Sequence, residues 1–283
     1  EPAGFVHKAA TPAPHPKQPE DDVMPLTYGS YLRLDELLDL QTPVSDGPEH
    51  DEMLFIVIHQ VYELWFKEIL HELSHLQELL NIDDSPRAQH TLKRVLTILK
   101  VLVAQIDVLE TMTPLEFLSF RDRLESGSGF QSFQFRALEF ALGLKRRGAV
   151  DHYPEDSPSR ELLEAYYRRP TLWDAFLHYL ARSGYAVPRD LLERDVTQPV
   201  EASPRLQKVL IEIYRNDPAT TAICERLVDL DEGIQEWRYR HVKMVERTIG
   251  TKRGTGGSTG AEYLRKTLFR PAFPDLWAIR TEL

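Results

Sequence analysis

A long amphipathic stretch of the chain is DEMLFIVIHQVYELWFKEILHELSHLQELL, from Asp51 to Leu80. Apolar residues recur in it at steps of three and four, which places them on one face of a long helix. They are Leu54, Ile58, Val61, Trp65, Ile69, Leu73, Leu76 and Leu80. A second pattern of this kind runs from about Ala88 to Thr111. The sequence therefore predicts two long core helices in this part of the chain.

The remaining sequence continues in the same helical manner. Thr113 can cap a helix that starts at Pro114 and ends near Leu124. Further helices are predicted at residues 130–145, 159–168, 171–183, 188–194, 203–215, 218–249 and 260–269, with a polar connection at 147–158. Because no alternating strand pattern of useful length appears, we expect an all-α helical bundle. One domain should span residues 26–283, with residues 150–200 as a small peripheral helical segment.

Composition narrows the function classes. The 283 residues are 42% hydrophobic, which suffices for a sizeable core. A net charge of -10 argues against a nucleic-acid partner, since such a surface needs clustered positive charge. No apolar run approaches the roughly 20 residues of a membrane span. The single cysteine, Cys224, excludes an internal disulfide framework and suits a reducing cytoplasm.

The N-terminal residues 1–25 differ in composition from the rest. They are rich in proline, alanine, histidine and acidic residues and contain no apolar core of a signal peptide. We predict a disordered tail for them.

A histidine lies on the apolar stripe of the segment WRYRHVKMVERTIG, from Trp237 to Gly250. The stripe consists of Leu230, Ile234, Trp237, His241, Val245 and Ile249, in which His241 is the strongly polar member. Such a histidine is either a core residue bonded to a backbone carbonyl or a buried nitrogen ligand. A glycine-rich loop, residues 254–260, follows the helix and is either a simple linker or a lid over a site.

A second histidine, His59, shares a helix face with Phe55, Tyr62 and Phe66. The same two interpretations apply to it. Two histidines on separate apolar stripes indicate an interior cavity that both could face.

An arginine follows two phenylalanines in the segment that contains Phe117, Phe120, Arg121 and Leu124. In a dry site, its paired N–H donors can hold a carboxylate. A structural ion pair with a glutamate is the alternative.

The segment His71-Glu72-Leu73-Ser74-His75 matches a pattern that places two zinc ligands one helical turn apart. The pattern is short, and no third ligand follows at the expected spacings. A zinc hydrolase is nevertheless an alternative function, and a non-enzymatic, ligand-binding helical sensor or scaffold is another.

Four separated blocks of the sequence carry a resemblance to a known family. They are LTYGSYLRL (26–34), DEMLFIVIHQ (51–60), Phe120-Arg121 with SGFQS (128–132), and WRYRH (237–241) with GTGGS (254–258). In these blocks the chain resembles the tryptophan 2,3-dioxygenases, and the resemblance extends from Leu26 to about Leu268.

The resemblance implies an all-helical enzyme that binds haem b, is active with ferrous iron, and forms a homotetramer. Its substrates would be L-tryptophan and dioxygen. Both oxygen atoms would be inserted across the indole C2–C3 bond to give N-formylkynurenine, the first step of tryptophan catabolism by the kynurenine pathway.

The same resemblance implies roles for individual residues. His241 would be the proximal iron ligand, and His59 would lie on the distal side near the indole N–H. Arg121 and Thr255 would hold the carboxylate and ammonium of the substrate, and the aromatic walls would be Phe55 and Phe117. The remaining predicted substrate-binding residues are Tyr28, Tyr31 and Leu32 from a neighbouring subunit, together with Phe120, Leu124, Ser128 and Gly129.

Position 117 departs from the pattern of some family members, and three basic residues have two possible roles. Position 117 is Phe where some members have Tyr, so Arg121 would carry more of the carboxylate contact. Arg238, Arg240 and Lys243 lie near the histidine of the haem helix. They would either meet the haem propionates or form a solvated basic face.

Overall fold

A computed structural model describes residues 25–47, 49–125, 127–255 and 260–283. Within these ranges the regular structure is helical, and no strand occurs. The α-helices are α1 (Tyr28–Leu32), α2 (Leu34–Leu38), α3 (His50–Asn81), α4 (Ser85–Leu109), α5 (Pro114–Arg121), α6 (Phe133–Leu142), α7 (Arg147–Asp151), α8 (Pro158–Arg168), α9 (Leu172–Arg182), α10 (Arg189–Leu192), α11 (Pro204–Asn216), α12 (Pro218–Ile249), α13 (Ala261–Arg265) and α14 (Pro274–Ala278). The predicted all-α class is thereby confirmed.

The chain forms two compact units, Glu1–Gln41 and Thr42–Leu283. The first contains α1 and α2, and the predicted tail, residues 1–25, lies outside the described residues except for Pro25. The second contains α3 to α14 and the core. None of the helices in the described part of the chain combines the length and hydropathy that crossing a bilayer requires.

Helix α4 lies at the centre of the larger unit. It packs along both α3 and α12, and α3 and α12 meet through aromatic side chains such as Tyr62 and Trp237. The hydroxyl of Tyr62 on α3 donates to the carbonyl of Leu102 on α4 over 2.8 Å, and both groups are buried. Beside these contacts, a space is left between α3 and α12.

The predicted long helices agree with the structure to within a few residues. The cap at Thr113 is also confirmed, because its hydroxyl accepts from the backbone N–H of Glu116 and the Glu116 carboxylate accepts from the N–H of Thr113. Helix α5 ends at Arg121 and continues as one 3-10 turn through Leu124.

Other boundaries were wrong. The polar connection predicted at 147–158 contains α7, in which Ala149 and Val150 are buried. Helix α6 starts only at Phe133 and ends at Gly143, whose φ of 105° lies in the left-handed region. The helix predicted at 260–269 covers only Ala261–Arg265, and the short helices α1, α2 and α14 were not predicted. Short helices present too few turns to show a periodic pattern.

Helix α9 contributes to the core, although it falls within the segment predicted to be peripheral. It packs against α3, and Trp173 and Phe176 on it are almost completely buried. The ring of Trp173 stacks on that of Phe273 with 5.4 Å between centroids. The division of residues 26–283 into a core and a peripheral segment stays a prediction.

A buried carboxylate fixes the C-terminal segment to α12. Asp231 is 1% exposed, and its oxygens accept from the backbone N–H groups of Ala272 and Phe273, each over 3.0 Å. It also accepts from the indole Nε1 of Trp277 over 2.9 Å. Hydrogen bonds to a buried charged acceptor stabilise more than neutral ones do, so this contact should dominate the docking of α14.

We predict that Asp231→Asn lowers the free energy of unfolding by about 2–3 kcal/mol, because one acceptor oxygen becomes an amide donor facing buried N–H groups. Urea denaturation followed by circular dichroism measures this. The control is Asp229→Asn, which alters a half-exposed carboxylate on the same helix, 3.8 Å from Arg226. An equal loss in both variants would contradict the anchoring role.

Candidate active site

A cavity occupies the space between α3 and α12. Helix α3 lines it with Phe55, His59 and Phe66, and α12 lines it with His241 and Val245 among others. The cavity volume is about 240 Å³. This lies just below the roughly 300–1,000 Å³ usual for a small-molecule pocket. The cavity is thus of a size that suits a small organic ligand.

His59 is held in one orientation by its own helix. Its Nδ1 lies 2.6 Å from the carbonyl oxygen of Phe55, one turn earlier. A carbonyl can only accept, so Nδ1 carries the hydrogen and donates. Burial lowers the pKa of His59 below its ordinary value, although the hydrogen bond to Phe55 acts in the opposite direction. The neutral ring thus presents Nε2 as an acceptor.

His241 is held by a neighbouring indole. Its ring stacks on that of Trp237, one turn earlier on α12, with 5.1 Å between centroids and 5° between planes. Burial lowers the pKa of His241 to about 4, and the positive charge of Arg136 acts in the same direction. A neutral imidazole retains the nitrogen lone pair that a metal ligand needs.

Aromatic rings enclose the region beside His59. The ring of Phe55 lies 4.1 Å from His59 and 5.7 Å from Phe117, measured between centroids. Farther along, the ring of Trp237 contacts Tyr62 and Phe66 edge-on across the cavity floor. These rings give the cavity flat apolar walls against which another aromatic group can pack.

Arg121 lies at the cavity opening. Its Nη2 donates to the carbonyl oxygen of Arg253 over 2.5 Å, which joins the end of α5 to the loop after α12. The same guanidinium lines the cavity beside Phe117. It pairs with a carbonyl rather than with a glutamate among the contacts observed, so the ion-pair alternative receives no support.

Thr255 joins the same two segments from the other side. Its hydroxyl donates to the carbonyl oxygen of Gly127 over 2.5 Å. Leu124, Ser128 and Gly129 also line the cavity here. Residues Gly256, Gly257, Ser258 and Thr259 of the predicted lid lie outside the described residues.

Four predicted binding residues have a different placement. Phe120 is fully buried behind the cavity wall, edge-on to Phe55 and Phe117 with 5.6 and 5.5 Å between centroids. Tyr28, Tyr31 and Leu32 belong to the smaller unit, where 76%, 70% and 40% of their surfaces are exposed.

The possible zinc motif has a structural explanation. Glu72 is 4% exposed and accepts from Arg94 Nη1 on α4 over 2.5 Å, while His71 and His75 are exposed. Among the described residues, no group of three histidine, cysteine or acidic side chains is arranged to hold a metal ion. Glu72 of this pattern therefore forms an ion pair between α3 and α4.

A buried charged cluster on the cavity wall was not predicted. Arg136 and Glu139 of α6 line the cavity together with Arg238 of α12, and each is at most 5% exposed. Arg238 Nη2 donates to Glu139 Oε1 over 2.7 Å. In the apolar segment FQFRALEFAL, Arg136 and Glu139 carry opposite charges three residues apart, which is a signal of buried polar residues. The partner of Glu139, Arg238, lies 99 residues further along the chain.

The fold and the site together define a helical protein with a cavity that two histidines from separate helices line. The family model for tryptophan 2,3-dioxygenase matches residues 15–186 and 202–283. A tryptophan 2,3-dioxygenase from Herpetosiphon aurantiacus is 63% identical over 258 residues, which cover 91% of this chain and 98% of that protein. One from Anaeromyxobacter sp. is 58% identical, with 91% and 96% covered. The chain belongs to the tryptophan 2,3-dioxygenase family.

The lowered pKa of His241 makes the ligand-free protein sensitive to acid. Between pH 6.5 and about 4 the unfolded state binds a proton that the folded state does not, so stability should decrease as pH falls through this window. We expect the free energy of unfolding to decrease by up to about 3 kcal/mol across this pH window. Urea midpoints of protein prepared without ligand, measured at several pH values, provide the test.

The matched variants are His241→Phe and His75→Gln, a change at an exposed histidine of α3. The first should flatten the pH dependence and the second should leave it as it is. An unchanged slope in His241→Phe would show that His241 is not the group concerned.

Proposed function

We propose that this protein is a haem-dependent tryptophan 2,3-dioxygenase. It inserts both atoms of dioxygen into the indole C2–C3 bond of L-tryptophan and forms N-formylkynurenine. Membership of the family supports the reaction. The observation that carries the proposal at residue level is the pair of neutral imidazoles, His59 and His241, facing one apolar cavity that Arg121 borders.

The residues present fit a haem group. His241 offers a neutral nitrogen on the cavity wall, and the aromatic side chains of Phe66, Phe135 and Trp237 line the cavity, where a flat apolar macrocycle could pack on them. His241 would hold the iron, and a single histidine ligand would leave a coordination position open for dioxygen. When bound in its ferrous form, haem supplies the dioxygen chemistry that amino-acid side chains lack.

His59 orients the indole ring of the substrate. Its Nδ1 is already engaged with Phe55, so Nε2 is the atom that accepts the indole N–H. Because burial lowers its pKa, the ring stays neutral and remains an acceptor at neutral pH. We assign it a positioning role rather than that of an obligatory base, since addition to indole needs no prior proton abstraction.

The amino-acid part of tryptophan is held at the cavity opening. Arg121 has further N–H donors that can form a paired contact with a carboxylate. The hydroxyl of Thr255 is placed to accept from the ammonium or donate to the carboxylate. Phe55 and Phe117 pack against the indole, and Phe117 leaves the carboxylate contact to Arg121 because it has no hydroxyl.

The loop after α12 excludes water from the reacting groups. Its contacts from Arg253 and Thr255 to the segment 121–127 support a closed position over the cavity opening. Exclusion of water strengthens the polar contacts of the substrate inside.

We further propose a cytoplasmic homotetramer in which the N-terminal segment reaches the site of a neighbouring subunit. The exposure of Tyr28 and Tyr31 in the single chain supports this arrangement. The burial of Cys224 and the absence of a second cysteine support a reducing compartment.

His241→Ala should abolish stable haem incorporation, because the iron loses its protein ligand. The measurement is the Soret absorbance per protein after purification, followed by detection of N-formylkynurenine from tryptophan under reducing, aerobic conditions. The matched control is His75→Ala, which alters an exposed histidine on α3 and should leave haem content and product formation unchanged.

Full haem content with activity in His241→Ala would refute the ligand assignment. Haem without product in the unchanged protein would favour a haem sensor, and stoichiometric zinc without haem would favour a hydrolase. Faster turnover of a ring-substituted tryptophan would identify a different preferred indole, since a pocket distinguishes one methylene group by only about 1–3 kcal/mol.

Arg121→Ala should raise the KM for tryptophan by about tenfold or more, because a charge-assisted hydrogen bond contributes about 1.5–3 kcal/mol. Steady-state kinetics over a range of tryptophan concentrations measure this. Arg123→Ala is the control: that exposed side chain makes one long contact, 3.4 Å to the Ser119 carbonyl. Equal KM values for Arg121→Ala and the unchanged protein would reject the carboxylate contact.

A further inference from the structure

A single carboxylate is surrounded by three guanidinium groups at one end of the cavity. Glu139 Oε2 lies 2.7 Å from Arg136 Nη1 and 2.5 Å from Arg146 Nη2, while Oε1 lies 2.7 Å from Arg238 Nη2. Glu139, Arg136 and Arg238 are each at least 95% buried, whereas the Arg146 side chain is 32% exposed. The three positive groups hold the Glu139 carboxylate in its charged form and its pKa below the ordinary value.

Positive charge exceeds negative charge in this cluster. Glu63 is the other carboxylate on the cavity wall, and Gln134 Nε2 donates to its Oε2 over 2.9 Å. Even with Glu63 included, the three arginines leave an excess of positive charge. Buried charge without compensation is costly, so an anionic group of a ligand would stabilise this wall.

The cluster also contains an unused donor that faces no protein acceptor. Nε of Arg238 is buried and makes no hydrogen bond within the described residues. Arg238 precedes His241 by three positions on α12, so both side chains lie on the same helix face. Both line the cavity. One helix therefore presents a metal-binding nitrogen and a cationic group to the same ligand.

The neighbouring cations of α12 are engaged elsewhere. Arg240 Nη2 donates to Asp107 of α4 over 2.6 Å, and Lys243 Nζ donates to Glu246 over 3.0 Å. Both side chains are more exposed than Arg238 and lie outside the cavity lining. Of the three cations near His241, Arg238 is thus the one directed to the interior.

We propose that Arg136 and Arg238 form the binding site for a carboxylate at the edge of the cofactor, with Glu139 setting their orientation. The proposal rests on the proposed function, because it takes the cofactor to be a haem, whose two propionates are carboxylates. The carboxylate would neutralise the excess charge of the cluster and accept from the free Arg238 Nε.

The test compares retention of two cofactors in the full-length protein. The protein is loaded with haem or with haem dimethyl ester, in which both carboxylates are neutral, and mixed with excess apomyoglobin as scavenger. The decay of the Soret band gives the rate of loss. We expect the ester to leave the unchanged protein about tenfold to a hundredfold faster, which corresponds to about 1.5–3 kcal/mol for charge-assisted contacts.

The variant Arg238→Gln separates the contact from structural damage. It should lose haem at least about tenfold faster than the unchanged protein but lose the ester at an unchanged rate. The control is Arg240→Gln, on the same helix but outside the cavity, which should lose each cofactor as the unchanged protein does. If Arg238→Gln does not fold, the rates of haem and ester loss from the unchanged protein still show whether the protein binds the carboxylates of the cofactor.

The possible outcomes distinguish this proposal from the proposed function. A protein that takes up no haem at all overturns the proposed function itself. A protein that retains haem and its ester equally overturns the carboxylate site alone. Equal acceleration of both cofactors in Arg238→Gln would also overturn it, because a structural role affects both ligands alike.

Discussion

The packing of α4 between α3 and α12 is the constraint on which the rest of the structure depends. Two helices of 32 residues each would otherwise close against one another along their apolar faces. Because α4 packs on both, His59 of α3 and His241 of α12 line one cavity without filling it. The hydrogen bond from Tyr62 to the Leu102 carbonyl fixes α3 against α4 at the level of this cavity. A packing requirement of the core thereby produces the site.

Burial then sets the charge states that the site uses. The same apolar surroundings lower the pKa values of both histidines, so each remains neutral and keeps a nitrogen lone pair. The apolar surroundings also make it costly to bury the charged side chains of Arg136 and Arg238. Both stay buried because the negative charge of Glu139 compensates part of their charge. One wall of the cavity therefore suits a neutral aromatic group or a metal, and another suits an anion.

Periodicity alone predicted the long helices. A helix of many turns repeats its apolar pattern so often that the repeat does not arise by coincidence. It failed for α7 and α14, which are single short turns stabilised by tertiary contacts such as those of Asp231 with the segment at Phe273. Sequence also indicated His59, His241 and Arg121 as candidates, but their roles came from the family resemblance. The pairing of Glu139 with Arg238 joins positions 99 residues apart, and no local pattern encodes it.

The contacts at the cavity opening suggest how tryptophan would be admitted. In the single chain, Arg121 donates to the Arg253 carbonyl and Thr255 donates to the Gly127 carbonyl, so both polar side chains are already committed. A carboxylate is a stronger acceptor for a guanidinium than a neutral carbonyl is. Under the proposed function, the further N–H groups of Arg121 would pair with the substrate carboxylate while Nη2 keeps its contact with Arg253. Indole alone has no carboxylate, so the proposed site would favour an amino acid over an uncharged indole of similar shape.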